Sequence, residues 1–541
     1  MIGDLQTLSI LSHLPFGRRP EDKPRAGFGP LTGCDLSRAD ALAQPFAPDP
    51  FYRLRPPFSK EAAQLSLELS DTAYTLDLSP WKQAGWNDFS ILIDDSLQSG
   101  LTHWESGDGL NRVVNRVKLL RAKAALLEAN PVSRVLSALR QKEKSDTIKA
   151  VCMMHPLPGD RWLLAIGFMG TGKRFYDWFS NFRFTPEEGF HKGFGQLCES
   201  FEMQLDGIVF PSVADALGLE KLTLGHVLSD MRSLSSRFRL WMAGHSQGSA
   251  VMQVFTHRLI TDWGVLPQNI VGYGFASPTV ATGQFVYDPA AYPLYHILNE
   301  DDVVTKLGAL LHLGLCAQFT PDEAFRESVY PKPDDAELQN KLVFFTEGVT
   351  DTPSAILHMT ALLETLSQEK GAEGLEELMN SWWAVGAVDR AIGRAGNRAM
   401  EFLNRLLSGA REGYEALTHR PASEQTIARI RDRLRPIARE TSARRLINAL
   451  TESLVPPHML SDDGRGAYTV ITRDLFEQLE PFIWLKVPGG MPVRRYGLWT
   501  DAPASTAQTV SAVRRSCTRT MRVKSKLRLS HSYHKNACTK G

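Results

Sequence analysis

Apolar residues along the chain recur with two periods. From Ser59 the spacing is helical, with Ala62, Leu65, Leu67 and Leu69 leading to Ala73 and Tyr74. A second helix is predicted over 110–144, where Val113, Val114, Val117, Leu119, Leu120 and Ala124 mark one face among many Arg and Lys. Near Ile148 the pattern shortens. The runs 148–155 and 162–168 read as strands joined by the turn-rich Pro156-Leu157-Pro158-Gly159-Asp160. Helical spacing returns at 194–205 and 222–235, followed by a strand at 238–243, a helix at 248–263, and strands at 269–275 and 293–298. Strands alternating with helices of this length predict an α/β fold, with a mostly parallel sheet flanked by helices. Beyond about Lys370 the reading is helical, at 375–385, 388–407 and 424–454, and residues 466–500 hold short apolar runs that could add strands. The Pro- and Gly-rich stretch 1–57 ends in Arg55-Pro56-Pro57 and reads as an irregular arm.

With 43% hydrophobic and 22% charged residues in 541, the chain can build a large core, which excludes wholesale disorder. Lys and Arg number 61 against 60 Asp and Glu, a balance that argues against a nucleic-acid partner. The balance conceals an asymmetry. Residues 511–541 hold nine Lys or Arg and no acidic residue, leaving 52 basic against 60 acidic in 1–510. This basic tail lacks apolar periodicity and reads as disordered; with the Arg-rich helix 424–454 it makes peripheral contact with an anionic membrane conceivable. No signal-peptide pattern opens the chain, and no run reaches the roughly 18–20 apolar residues of a membrane span. The six cysteines (Cys34, Cys152, Cys198, Cys316, Cys517 and Cys538) form no CxxC or Cys/His cluster. The expectation is a cytoplasmic protein without cofactor or metal, export by a non-classical route remaining open.

Two glycine motifs compete for the chemistry. Gly167-Phe168-Met169-Gly170-Thr171-Gly172-Lys173 fits G-x-x-x-x-G-K, whose amides would cradle phosphates while Lys173 reached the terminal one. The next residue should then be a Ser or Thr for Mg²⁺; it is Arg174. The second motif, Gly244-His245-Ser246-Gln247-Gly248, follows the strand pattern 238–243 and precedes a helix pattern. A G-x-S-x-G in that setting is a nucleophile elbow, with Ser246 in a strained turn at a helix N-terminus where free amides favour a developing oxyanion.

Four further segments around the elbow, in order, resemble the class 3 (fungal-type) lipase family over residues 59–368. Ala165–Thr171 is similar to the family's oxyanion segment, followed by Asp177-Trp178; His191-Lys192-Gly193-Phe194 resembles its H-x-G-F; Asn269–Pro278 resembles the F-G-x-P strand; and Asp302-Val303-Val304-Thr305 is similar to D-x-V-P. The resemblance implies an α/β-hydrolase-like domain over 58–370, leaving a mainly helical region over 371–510. It also implies that the glycines of 167–172 shape an oxyanion loop.

A serine hydroxyl needs a base, and the base an orienting carboxylate, here in the order Ser, Asp, His. Asp302, just past the strand 293–298, suits the acid, with Asp301 its immediate rival. Of the histidines beyond it, His312 lies inside the apolar run 307–319, and His458 follows Pro456-Pro457 far into the helical region. His358, at the start of a helix after Asp351-Thr352-Pro353-Ser354, has the spacing that resembles the family's catalytic histidine and is taken as the base. The backbone N–H of Gln247 supplies one oxyanion donor and, by resemblance, Thr171 the second. Phe175, Trp178, Phe179 and Phe182 stand where the family has its lid and would cover the site; permanent core packing is the other reading of these aromatics. His191 and His245 read as structural. The expected function is a serine-dependent carboxylic ester hydrolase (lipase, phospholipase or esterase) acting on a lipid or other acyl ester through an acyl-enzyme. The alternatives are a nucleotide-binding protein using Gly167–Lys173 and a catalytically silent hydrolase-fold protein.

Overall fold

The computed structural model describes residues 58–93, 102–104, 149–170, 186–187, 189–282, 292–383, 395–460, 466–486 and 492–496. The arm 1–57, the helix expected at 110–144 and the tail 511–541 lie outside them. A ten-stranded sheet organises the molecule. Its strands are β1 (Asn87–Ile93), β2 (Thr102–Trp104), β3 (Lys149–Leu157), β4 (Arg161–Phe168), β7 (Phe238–His245), β8 (Ile270–Phe275), β9 (Leu294–Asn299), β10 (Leu315–Phe319), β11 (Glu480–Lys486) and β12 (Pro492–Tyr496). The short β5 (Pro186–Glu187) and β6 (Phe190–His191) pair separately. The order across the sheet is β12-β11-β10-β9-β8-β7-β4-β3-β1-β2. Strands β4, β7, β8, β9 and β10 run parallel through the centre. Antiparallel pairs complete both flanks.

A central parallel strand is covered on both faces and so tends to a near-continuous apolar run. All eight residues of β7 are buried. Phe238, Leu240 and Met242 enter one core with Leu164, Ile166 and Phe168 of β4. Trp241 and Ala243 face the other way, into a core shared with Leu163 and Ala165. The first face is covered by α2 (Lys192–Glu202) and α3 (Gln247–Thr261), and the second by α1 (Lys60–Thr75). Helix α1 starts at Ser59, whose side chain accepts from the Ala62 amide. Its buried hydroxyls serve the indoles they meet: Trp241 donates to Ser66 at 2.9 Å and Trp81 to Thr72 at 2.8 Å.

The chain then builds a bundle from α4 (Ala336–Glu347), α5 (Thr352–Trp383), α6 (Ala395–Thr418), α7 (Glu424–Glu440) and α8 (Ala443–Leu454). Leu342, Ile356, Leu363, Ile427, Leu434 and Leu450 form its core, together with Val304, Leu307 and Ala309 from the loop after β9. The helical run expected over 424–454 is interrupted because Thr441 is extended and Ser442 caps α8 through the Arg445 amide.

The 370/371 border expected from the sequence falls at the Gly371 bend, where φ 58° and ψ −147° interrupt α5. Beyond the bundle, α9 (Ala467–Asp474) packs Tyr468 and Ile471 into the α1-side core, and β11 joins β10. The C-terminal region is therefore part of the central sheet as well as a helical bundle.

Candidate active site

Strand β7 ends at His245, and Ser246 turns the chain into α3 with φ 57° and ψ −130°. This left-handed φ at a non-glycine residue is a strain that the surrounding packing must hold. The flanking glycines are needed for space. A Cβ at Gly244 would stand 2.7 Å from the Gly248 carbonyl carbon, and one at Gly248 would strike the Phe168 carbonyl oxygen and lie 2.8 Å from the Met169 carbonyl carbon. Gln247 opens α3, and amides in a first helical turn have no intrahelical acceptor.

Asp302 follows β9 as cap of a 3-10 turn at Val303–Lys306 and is fully buried. Its Oδ1 accepts from the Val304 amide at 2.9 Å. Oδ2 accepts from the Tyr468 hydroxyl at 2.7 Å and from Nδ1 of His458 at 3.0 Å. Nε2 of His458 meets Ser246 Oγ at 2.9 Å. Because a carboxylate only accepts, Nδ1 carries the proton and Nε2 accepts from the serine. The three side chains thus form one buried hydrogen-bonded row. Asp301, the rival acid, turns instead to Arg326, with contacts of 2.7 and 2.8 Å.

His458 ends a 3-10 turn, Pro456–His458, directly after the bundle. The carbonyl of Pro457 accepts from Asn299 Nδ2 at 2.9 Å, at the end of β9, and the His458 carbonyl accepts from His245 Nε2 at 2.8 Å, at the end of β7. Tyr468 Oη also accepts from the Asn299 amide at 3.1 Å. Burial first, and the Asp302 charge next, push the Tyr468 hydroxyl well above its ordinary pKa, so it stays a donor.

The histidine at Ser246 is His458, and the assignment of His358 is corrected accordingly. His358 lies on α5, where Nδ1 donates to the Ser354 carbonyl at 2.8 Å and the ring packs edge-on against Phe345 at 5.4 Å and against Gly348. It is a bundle residue, its pKa lowered by burial. His312 donates Nε2 to the Ser277 carbonyl at 2.7 Å. His191 caps α2 and accepts from the Phe194 amide at 3.4 Å, and burial drives its pKa to about 3.

Thr171, Phe175, Trp178, Phe179 and Phe182 lie outside the described residues. The described part of the rival glycine segment is packed tightly. A Cβ at Gly167 would lie 2.8 Å from the Leu69 carbonyl oxygen, and one at Gly170 would meet the Tyr74 hydroxyl and stand 2.5 Å from the His245 carbonyl oxygen. These glycines bring the end of β4 against α1 and the elbow.

Residues 165–311 match the model of the family described as Lipase (class 3). The matched segment holds Ser246 and Asp302 and stops short of His458. Among similar solved structures is one titled "A serine protease triad forms the catalytic centre of a triacylglycerol lipase", 19% identical, covering 33% of this chain and 63% of that one with a TM-score of 0.24. Lipase II from Rhizopus niveus is 17% identical over 33% of this chain and 64% of its own, with a TM-score of 0.24. A Rhizomucor miehei lipase propeptide complex is 20% identical over 32% and 53%, with a TM-score of 0.23. The chain spans less than two thirds of the length of each. No curated protein matches the chain.

Proposed function

We propose that this chain, whose residues 165–311 match the class 3 lipase family model, is a serine-dependent carboxylic ester hydrolase with Ser246, His458 and Asp302 as its catalytic residues. The observation that carries the reading is the row Ser246 Oγ–His458 Nε2 at 2.9 Å and His458 Nδ1–Asp302 Oδ2 at 3.0 Å, set on a strained elbow.

In this reading His458 takes the Ser246 proton as Oγ attacks the ester carbonyl, and Asp302 fixes the tautomer and stabilises the imidazolium. The Gln247 amide, at the positive end of α3, donates to the oxyanion, and Thr171 is the second donor that the sequence resemblance implies. His458 then protonates the leaving alkoxide, an acyl-Ser246 ester remains, and a water activated by the same imidazole releases the carboxylic acid. The family points to an acyl ester of lipid character as substrate. Serine attack, proton transfer and oxyanion stabilisation are all supplied by protein groups.

Purified protein with Ser246→Ala should lose hydrolysis of a short nitrophenyl ester and labelling by a fluorophosphonate probe, while its circular dichroism stays that of the parent. Undiminished turnover in that variant would refute the reading.

A further inference from the structure

His245, next to the proposed nucleophile, faces away from the chemistry yet is buried in a hydrogen-bonded chain. Its Nε2 lies 2.8 Å from the His458 carbonyl oxygen and its Nδ1 2.8 Å from the Tyr74 hydroxyl. A carbonyl can only accept, so Nε2 must carry the proton; Nδ1 is then an acceptor, and the Tyr74 O–H must donate to it. The Tyr74 hydroxyl also lies close against Gly170, where a Cβ would strike it. The opposite tautomer would set two lone pairs against each other at Nε2 and the carbonyl, so the direction of every bond in the chain is determined.

We propose that His245 and Tyr74 are positioning residues that hold the backbone of His458, and through it the imidazole, within reach of Ser246. The proposal rests on the Ser246–His458–Asp302 reading. The geometry behind it is the way His458 enters the site. Its imidazole is oriented by Asp302, but its backbone belongs to a short turn at the end of a long helical excursion, anchored to the sheet through carbonyls. The Pro457 carbonyl is held from the end of β9, the strand leading to Asp302, and the His458 carbonyl from the end of β7, the strand leading to Ser246. Each anchor ties the base to the element presenting one of its two partners.

The choice of an imidazole for this anchor also fits the charge that develops. The two rings lie 4.8 Å apart between centroids. Burial, then the proximity of His458, keeps His245 well below the ordinary histidine pKa, so a protonated His458 meets a neutral neighbour. Tyr74 also packs against Gly170, the residue before Thr171.

The test compares kcat, KM and melting temperature for short nitrophenyl ester hydrolysis in His245→Leu, His245→Gln, Tyr74→Phe and the Tyr74→Phe/His245→Leu double variant. A misplaced base lowers kcat on the order of 10- to 100-fold. His245→Leu should show that loss with KM little changed, and His245→Gln, whose amide nitrogen can reach the His458 carbonyl, should restore most of it. Tyr74→Phe should fall between, and the double variant should be no worse than His245→Leu alone, because both act through one path. A folded His245→Leu with parental kcat, a Gln variant no better than Leu, or losses that multiply in the double variant would each overturn the proposal. Should His245→Leu not fold, parental kcat in Tyr74→Phe does so. Retained turnover in His458→Ala would instead overturn the reading of the site itself.

Discussion

Replacing Tyr468 by Phe removes a single oxygen from the floor of the site. The aromatic body of Tyr468 is fully buried and would stay. Two bonds go with the hydroxyl: the one donated to Asp302 Oδ2 at 2.7 Å and the one accepted from the Asn299 amide at 3.1 Å. A hydrogen bond to a charged group contributes about 1.5–3 kcal/mol, and a buried donor left without a partner costs about 1–3 kcal/mol. Asp302 and Tyr468 are shielded from solvent, so neither figure is reduced by screening, and the fold should lose about 2.5–6 kcal/mol. The chemistry should change in a definite direction. Asp302 retains the Val304 amide on Oδ1 and His458 on Oδ2, but with one donor fewer it is held less firmly and orients the imidazole less well. On the proposed reading, kcat should therefore fall on the order of 10-fold with KM little changed. The assay is nitrophenyl ester hydrolysis, paired with urea unfolding. Parental kcat in a variant as stable as its parent refutes the argument.

Two other outcomes discriminate among the histidines. His458→Ala should reduce kcat by about 10⁴–10⁶-fold, the usual loss for a triad base, whereas His358→Ala should hydrolyse ester at close to the parental rate and melt earlier; steady-state rates and melting curves of the pair check this. Acid should destabilise the fold through its buried neutral imidazoles. Burial lowers His191 and His296 to about 3 and His312 to about 4, so the unfolded chain binds protons first as pH falls. Each should weaken the fold by up to about 1.4 kcal/mol per pH unit below the unfolded value near 6.5, down to its own folded pKa; denaturant midpoints at pH 7 and 5 that coincide would contradict this.

The sequence made some of this architecture legible because the relevant signals are local. The alternation of apolar residues in 148–168 and 238–275 corresponds to β3, β4, β7 and β8 within a residue or two, and the spacing of Gly244, Ser246 and Gly248 reflects contacts made within one turn. Asp302 was readable for the same reason, since a short loop after β9 presents it. The base was not. Between Asp302 and His458 the described residues build β10, a short helix at Glu323–Val329 and the helical bundle, and nothing in a local pattern tells how much chain will be inserted before a histidine returns to the sheet. His358 has a suitable sequence distance and a helical start, yet its polar contact is with its own helix. The available clue was Pro456-Pro457, a stiff turn closing the helical run just before His458. Tyr468, Asn299 and Tyr74 gave no sign of their roles, because each depends on meeting a partner from a remote segment.

The order of the parts along the chain has a consequence for synthesis. A ribosome that has released everything through β10 has delivered a serine and its carboxylate, but no imidazole to connect them. On the proposed function, the site is complete only when the bundle has emerged and the Pro456–His458 turn has docked, so competence to cleave an ester is coupled to folding of the helical insertion.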